Sequence, residues 1–236
     1  MSGLRHHPLL IYAIGASALG LLTVVLLAAS PPIIHETLSW RKPLVGSVFI
    51  LICTFGIFAA LFPKRCSQTF HFNRENMKLA PSRIRATSHH PDCGRFSAHV
   101  IYVNGHTLCA ACTGLLWGGI IAITGSLIYF FVGWQIQAPA FATVFIGTAA
   151  IVLGFFQLAF RGFLRSALNT LFVLGAFLIL VGIDESIGSL FVDFFIEAYI
   201  VFWIFTRIQL SQWDHSKICS NCESPCEIGE TKKNWG

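Results

Sequence analysis

Four His and three Cys fall within the stretch HHPDCGRFSAHVIYVNGHTLCAACTG, residues 89–114. Imidazole and thiolate are the ligands zinc prefers, and their spacing makes that chemistry specific. His90 and Cys93 are separated by two residues, Cys109 and Cys112 by two, and fifteen residues lie between the pairs. Two ligands so spaced hold one ion from a single tight turn, and two such turns complete a tetrahedron. Between them His99-Val-Ile-Tyr-Val is β-prone, Asn104-Gly105 is a turn signal, and His106-Thr-Leu returns to the second pair. A short hairpin is therefore expected to link the two halves. Structural zinc contributes on the order of 10 kcal/mol to small units of this kind. Zinc ranks ahead of iron here, because a rubredoxin-like iron site wants four thiolates and this run has three. His89, His99 and His106 exceed what one tetrahedral ion needs. They read as surface residues or as supports for the ligands, with a second ion or a ligand exchange as the sharper alternative.

A second constellation lies near the C-terminus, in DHSKICSNCESPCEIG. His215, Cys219, Cys222 and Cys226 place one imidazole and three thiols within twelve residues, enough for another zinc site. The competing reading is a polar tail of reduced thiols, flanked by Glu223, Glu227, Glu230, Lys232 and Lys233. An iron–sulfur cluster fits less well. The spacing lacks the first Cys of a bacterial ferredoxin run, and Pro225 precedes the last Cys where that motif has Pro after it.

Asp193 and Glu197 pose a different question. They stand four residues apart on one helical face, inside the apolar run IGSLFVDFFIEAYIVFWIF. Carboxylates at membrane depth are costly and normally pair, protonate or bind a cation. No Lys or Arg lies at comparable depth; Arg161 and Arg165 sit at helix ends, where they can snorkel, and Gln157 and Asn169 are able to supply hydrogen bonds. A polar lock between helices and a proton or cation path are the two readings.

These residues must be positioned by a chain that is 55% hydrophobic and 11% charged, with mean hydropathy +0.68. That composition excludes an ordinary soluble domain. Runs of roughly 20 apolar residues are needed to cross about 30 Å of hydrocarbon, and six segments qualify: 9–30, 44–62, 110–132, 138–160, 166–183 and 187–206. In lipid such uniformly apolar runs satisfy their backbone as helices and not as barrel strands. The first run is longer than a signal-peptide core and is expected to stay as a helix. The expected fold is all-α, a polytopic six-helix transmembrane bundle with a small metal-stabilised cytoplasmic loop. Its divisions are helices one and two in 1–62, a His/Cys-rich loop in 63–109, helices three to six in 110–206 and a Cys-rich tail in 207–236.

Fourteen of the sixteen Lys and Arg fall on one side of this arrangement, and Arg41 and Lys42 on the other. The positive-inside rule makes the larger set cytoplasmic, with both termini and the 63–109 loop. Seven of the eight Cys then face the reducing compartment, Cys53 alone lying within a span. Disulfides are rare there, which favours metal or thiol chemistry. Gly114-x3-Gly118-Gly119 at the start of helix three offers a small-residue face to a neighbouring helix.

The run HHPDC, a following His, and CAACTGLLWG opening a helix resemble the signature of uncharacterised prokaryotic, archaeal-type predicted membrane proteins. The likeness covers residues 89–118. His90, Cys93, Cys109, Cys112 and Gly114 match the pattern, whereas Ala111 stands where many members have Arg. The resemblance implies a membrane protein with this cytoplasmic motif and carries no activity.

Three functional classes follow: an accessory or scaffold protein, such as a subunit of a membrane complex, with a zinc-stabilised cap; a membrane redox protein using Cys/His metal or thiol centres; and a proton- or cation-coupled transporter using Asp193 and Glu197. The chain has no paired in-membrane His at haem-like spacing, no nucleotide-binding loop and no hydrolase nucleophile motif. That weighs against an enzyme and places the accessory role first. The lipid bilayer is the expected partner, joined by other membrane-complex subunits. Basic residues around 64–95 are interleaved with ligands, so no nucleic-acid surface is expected.

Overall fold

The computed structural model describes residues 8–32, 36, 38–61, 96–103, 106–134 and 138–220, with the backbone alone at 106, 107, 219 and 220. Six long helices account for most of them. They are α1 (Pro8–Ala29), α2 (Arg41–Leu61), α3 (Ala110–Ser126), α4 (Ala140–Phe155), α5 (Gly162–Ile187) and α6 (Leu190–Ser220). Five spans are long and apolar enough to cross a membrane: α1, α2, α3 with its extension to Val132, α4 with its extension to Ala159, and α5. α6 is longer still, with Asp193 and Glu197 in its first half and Arg207 just past its middle. The expected all-α, six-helix membrane class is the observed one.

Helix boundaries follow from local chemistry. Pro8 opens α1, where its missing N–H costs nothing. The last part of α3 loosens into a π-helical turn, Leu127–Val132, and stops at Gly133 with φ 81°. α5 ends at Gly188, φ 64°, a left-handed stop that turns the chain directly into α6.

Two boundaries depart from the hydropathy pattern. α5 runs from Gly162 to Ile187 and not only over 166–183, because Arg165 and Asp184 gain buried partners that let the helix continue through them. α6 continues through 207–220, a stretch expected to be part of the tail. Its first turns beyond the apolar run, through Asp214, pack against α5 and the hairpin.

α5 is the most buried of the five spans, packed chiefly between α3 and α4, with α1 and α6 also against it. Close approach is permitted by glycine at two contacts. A Cβ on Gly114 of α3 would collide with the carbonyl oxygen of Ser166 on α5, and Thr170 on α5 donates to the Gly114 carbonyl at 3.0 Å. At the α4–α5 crossing a Cβ on Gly147 would lie 2.7 Å from the Gly175 oxygen, and one on Gly175 would lie 2.6 Å from the Gly147 oxygen. Such small-residue contacts let backbones pack where lipid removes the hydrophobic drive between helices. Outward faces stay apolar: Leu19, Phe55, Phe145 and Phe163 are more than half exposed, as a lipid-facing surface requires.

Before α3 a 3₁₀ turn, Ser97–His99, leads into β1 (Val100–Val103), which pairs antiparallel with β2 (His106–Cys109). Val100 pairs with Cys109 and Val103 with His106, so the expected hairpin forms around positions 104–105. Ile101 is 3% exposed and Phe96 4%, fixing the hairpin against the helix ends.

Candidate functional site

The hairpin hands directly into α3. Cys109 is the last residue of β2 and the N-cap of α3, and Cys112 lies in the first helical turn. Cys109 is buried and Cys112 half-buried. Arg165 lies within electrostatic reach of Cys109, and Arg207 of both thiols. The positive end of the α3 dipole and two guanidiniums therefore offset the negative charge that a pair of ligand thiolates would bring.

His99 is 4% exposed and engaged. Its Nε2 is 3.3 Å from Asp214 Oδ2 and 3.3 Å from Arg165 Nη1. Arg165 Nη2 reaches Asp214 Oδ2 at 3.7 Å. Arg165, 2% exposed, thus does not snorkel as expected; it is held inside by a carboxylate that only the extension of α6 brings there. Burial pushes the Asp214 carboxyl above its ordinary value, against the pull of Arg165.

His215, one residue on, packs its ring 5.2 Å from that of His99 and 5.5 Å from that of Phe96. It also shares a cavity wall with Cys112. The structure therefore brings the start of the second constellation against the first, which the spacing in sequence kept apart.

No group of three or more His, Cys, Asp or Glu arranged to hold a metal occurs among the described residues. His89, His90, Cys93, Cys222 and Cys226 lie outside them, and His106 and Cys219 are described by backbone only.

Arg207 occupies the layer below. It donates from Nε to Asn169 Oδ1 at 2.7 Å, from Nη2 to the same oxygen, and from Nη2 to Gln157 Oε1 at 3.5 Å. Asn169 in turn donates to the Arg165 carbonyl at 2.6 Å. Gln157 and Asn169 thus serve Arg207 and not the Asp193/Glu197 face, because they stand at the hairpin end of the bundle.

The opposite end holds a second polar cluster. Arg41, 5% exposed at the first position of α2, lies with Nη1 2.6 Å from Asp184 Oδ1 and also binds Asp193 Oδ2. Lys42 Nζ is 3.3 Å from Asp184 Oδ2, and Tyr129 donates to that oxygen at 2.7 Å. A cation at the start of α2 and a carboxylate at the end of α5 each oppose their own helix dipole, so each needs the other.

The expectation that no cation reaches Asp193 is therefore corrected. α2 begins three residues before its apolar run, and Asp193 sits in the first turn of α6 and not deep within it. Asp184, expected in a short connection, is the further member that sequence reasoning missed. Its signal was that Arg41 and Lys42 are the only cations assigned to that end. Just outside, Glu36 accepts from Ser189 Oγ at 2.8 Å and from the Leu190 N–H at 3.1 Å, which hold its carboxyl below the ordinary value.

Glu197 remains apart. It is 3% exposed, and neither carboxyl oxygen has a hydrogen-bond partner among the described residues.

Compared with protein-family models, curated proteins and solved structures, the chain matches none, which leaves the chemistry of these clusters as the guide to function.

Proposed function

We propose that this integral membrane protein carries a structural zinc site formed by His90, Cys93, Cys109 and Cys112, and that the resulting cap makes it an accessory or scaffold subunit of a membrane complex. The observation that supports this reading most is the junction at Cys109. One ligand ends a strand, the other lies three residues later in the first turn of a helix, and the hairpin register fixes Val100 against the first. Cys93 is seven residues from Val100, within chain reach of the same point at about 3.3 Å per residue. The metal would then set the entry angle of α3, whose Gly114 is already locked against α5. His99 would brace the cap through Arg165 and Asp214. A second ion on His215, Cys219, Cys222 and Cys226 would sit beside the first, since His215 packs on His99. On this reading the hairpin end is cytoplasmic, and membership of the archaeal-type family rests on the same motif.

Changing Cys112 to Ser tests the coupling in detergent-purified protein. Zinc content and thermal stability should fall together; retained zinc, or zinc lost with stability unchanged, contradicts the reading.

A second reading, proton or cation coupling, is favoured by Glu197 alone, because a buried carboxyl with no partner among the described residues must either protonate or find a cation. Proteoliposomes carrying Glu197→Gln would lose proton or divalent-cation flux if this were its role.

A further inference from the structure

Between α2, α3, α5 and α6 lies a cavity of about 250 Å³. Its deep end is apolar, walled by Phe49, Phe172, Ala176 and Ile200. Its other end, nearer the hairpin, carries Cys112, Arg207, Ser211, Gln212 and His215. The space exists because α2 presents Cys53, Gly56, Ala59 and Ala60 to it, where larger side chains would have closed the gap.

Arg207 makes this more than a packing defect. It is 5% exposed, yet its hydrogen bonds run only to the neutral amides of Asn169 and Gln157, and no carboxylate pairs with it among the described residues. A buried charge is costly unless an opposite charge compensates it. A guanidinium has five N–H donors; those on Nε and Nη2 are used, and Nη1 has no acceptor among the described residues. Two donors in fixed geometry beside an apolar channel match an anionic head group on a hydrocarbon chain. The volume lies just below the roughly 300–1,000 Å³ of small-molecule pockets, which is too little for two chains side by side.

We infer that this cavity binds a single-chain amphiphile with one anionic head group, its chain along α2 and its head on Arg207. Cys112 and His215, both proposed zinc ligands, also line the cavity, but the inference rests on Arg207 and the apolar wall, neither of which ligates the metal.

The test uses the full chain in phosphatidylcholine nanodiscs, with cis-parinaric acid as a fluorescent carboxylate probe and the corresponding alcohol as its neutral counterpart. The acid should bind saturably and the alcohol at least about tenfold more weakly, the margin expected for a charge-assisted hydrogen bond. Arg207→Gln should bring the acid down to the level of the alcohol, and Arg207→Lys should restore part of the difference. Gly56→Phe should abolish binding of both, because a Cβ there meets nothing within 4 Å and the ring can enter the cavity without disturbing the fold. Equal affinity for acid and alcohol in the wild type overturns the proposal without relying on any variant. So does undiminished binding to Gly56→Phe. Absence of saturable binding, as would follow if another part of the chain fills the space, overturns it as well.

Discussion

Arg41 compensates two buried carboxylates at once, and that makes it the side chain whose loss should be most damaging at the end away from the hairpin. Arg41→Ala leaves Asp184 and Asp193 facing each other, with Lys42 and Tyr129 as the remaining contacts of Asp184 among the described residues. A cost of about 3–5 kcal/mol is expected from such a broken buried pair, measurable by unfolding in mixed detergent; a change below about 1 kcal/mol would show the pair to be dispensable. Glu197→Gln should behave oppositely. The amide replaces an uncompensated carboxyl of the same shape, so stability should hold or rise, whereas a loss comparable to that of Arg41→Ala would reveal a partner. Residue patterning found Asp193 and Glu197 because carboxylates are rare in apolar runs. It missed Arg41, Asp184 and Arg165 because each sits at a helix end, where hydropathy treats charge as a boundary and cannot tell a snorkelling side chain from a paired one.

Elements were more legible than their ends. The hairpin over 100–109 follows from β-branched residues around Asn104-Gly105, and the structure has it in that register. The glycines of α3 signal a close neighbour without saying which. That neighbour is α5 at Gly114 and Gly118, but α2 at Gly119. Gly114→Leu should therefore separate α3 from α5 and destabilise by at least about 1–3 kcal/mol through overpacking, whereas Gly15→Leu, where a Cβ meets nothing within 4 Å, should be tolerated. Comparing the two thermal midpoints checks this, and equal midpoints would contradict the packing account.

The loop between α1 and α2 adds a pH dependence. Glu36 has its carboxyl lowered by the hydrogen bond from Ser189 and then by that from Leu190. A depressed carboxylate contributes stability that is present above its unfolded value and is lost as pH falls through its folded value. Acidification below the ordinary glutamate range should loosen the wild type more than Glu36→Gln. An identical acid slope in the two would rule the tie out. The length of α6 was not legible, because its extension through 207–220 is stabilised by Arg165, His99 and Asn169, residues distant in the chain.

For the whole molecule, apolar spans around a buried α5 identify a membrane bundle, and composition alone was enough to expect it. The two polar clusters at its ends divide the work. One, built on Arg41, is internally compensated and reads as a clamp. The other, around Cys109, Cys112, His99 and Arg207, carries surplus positive charge and two thiols, and is where a zinc ion and an anionic chain would each be received. Zinc K-edge X-ray absorption on the purified full chain tests the central claim most directly. The account predicts bound zinc with a shell of about three sulfurs near 2.3 Å and one nitrogen near 2.0 Å, its amount falling when Cys112 is changed to Ser. A shell of oxygen and nitrogen only, iron in place of zinc, or protein without metal would contradict it.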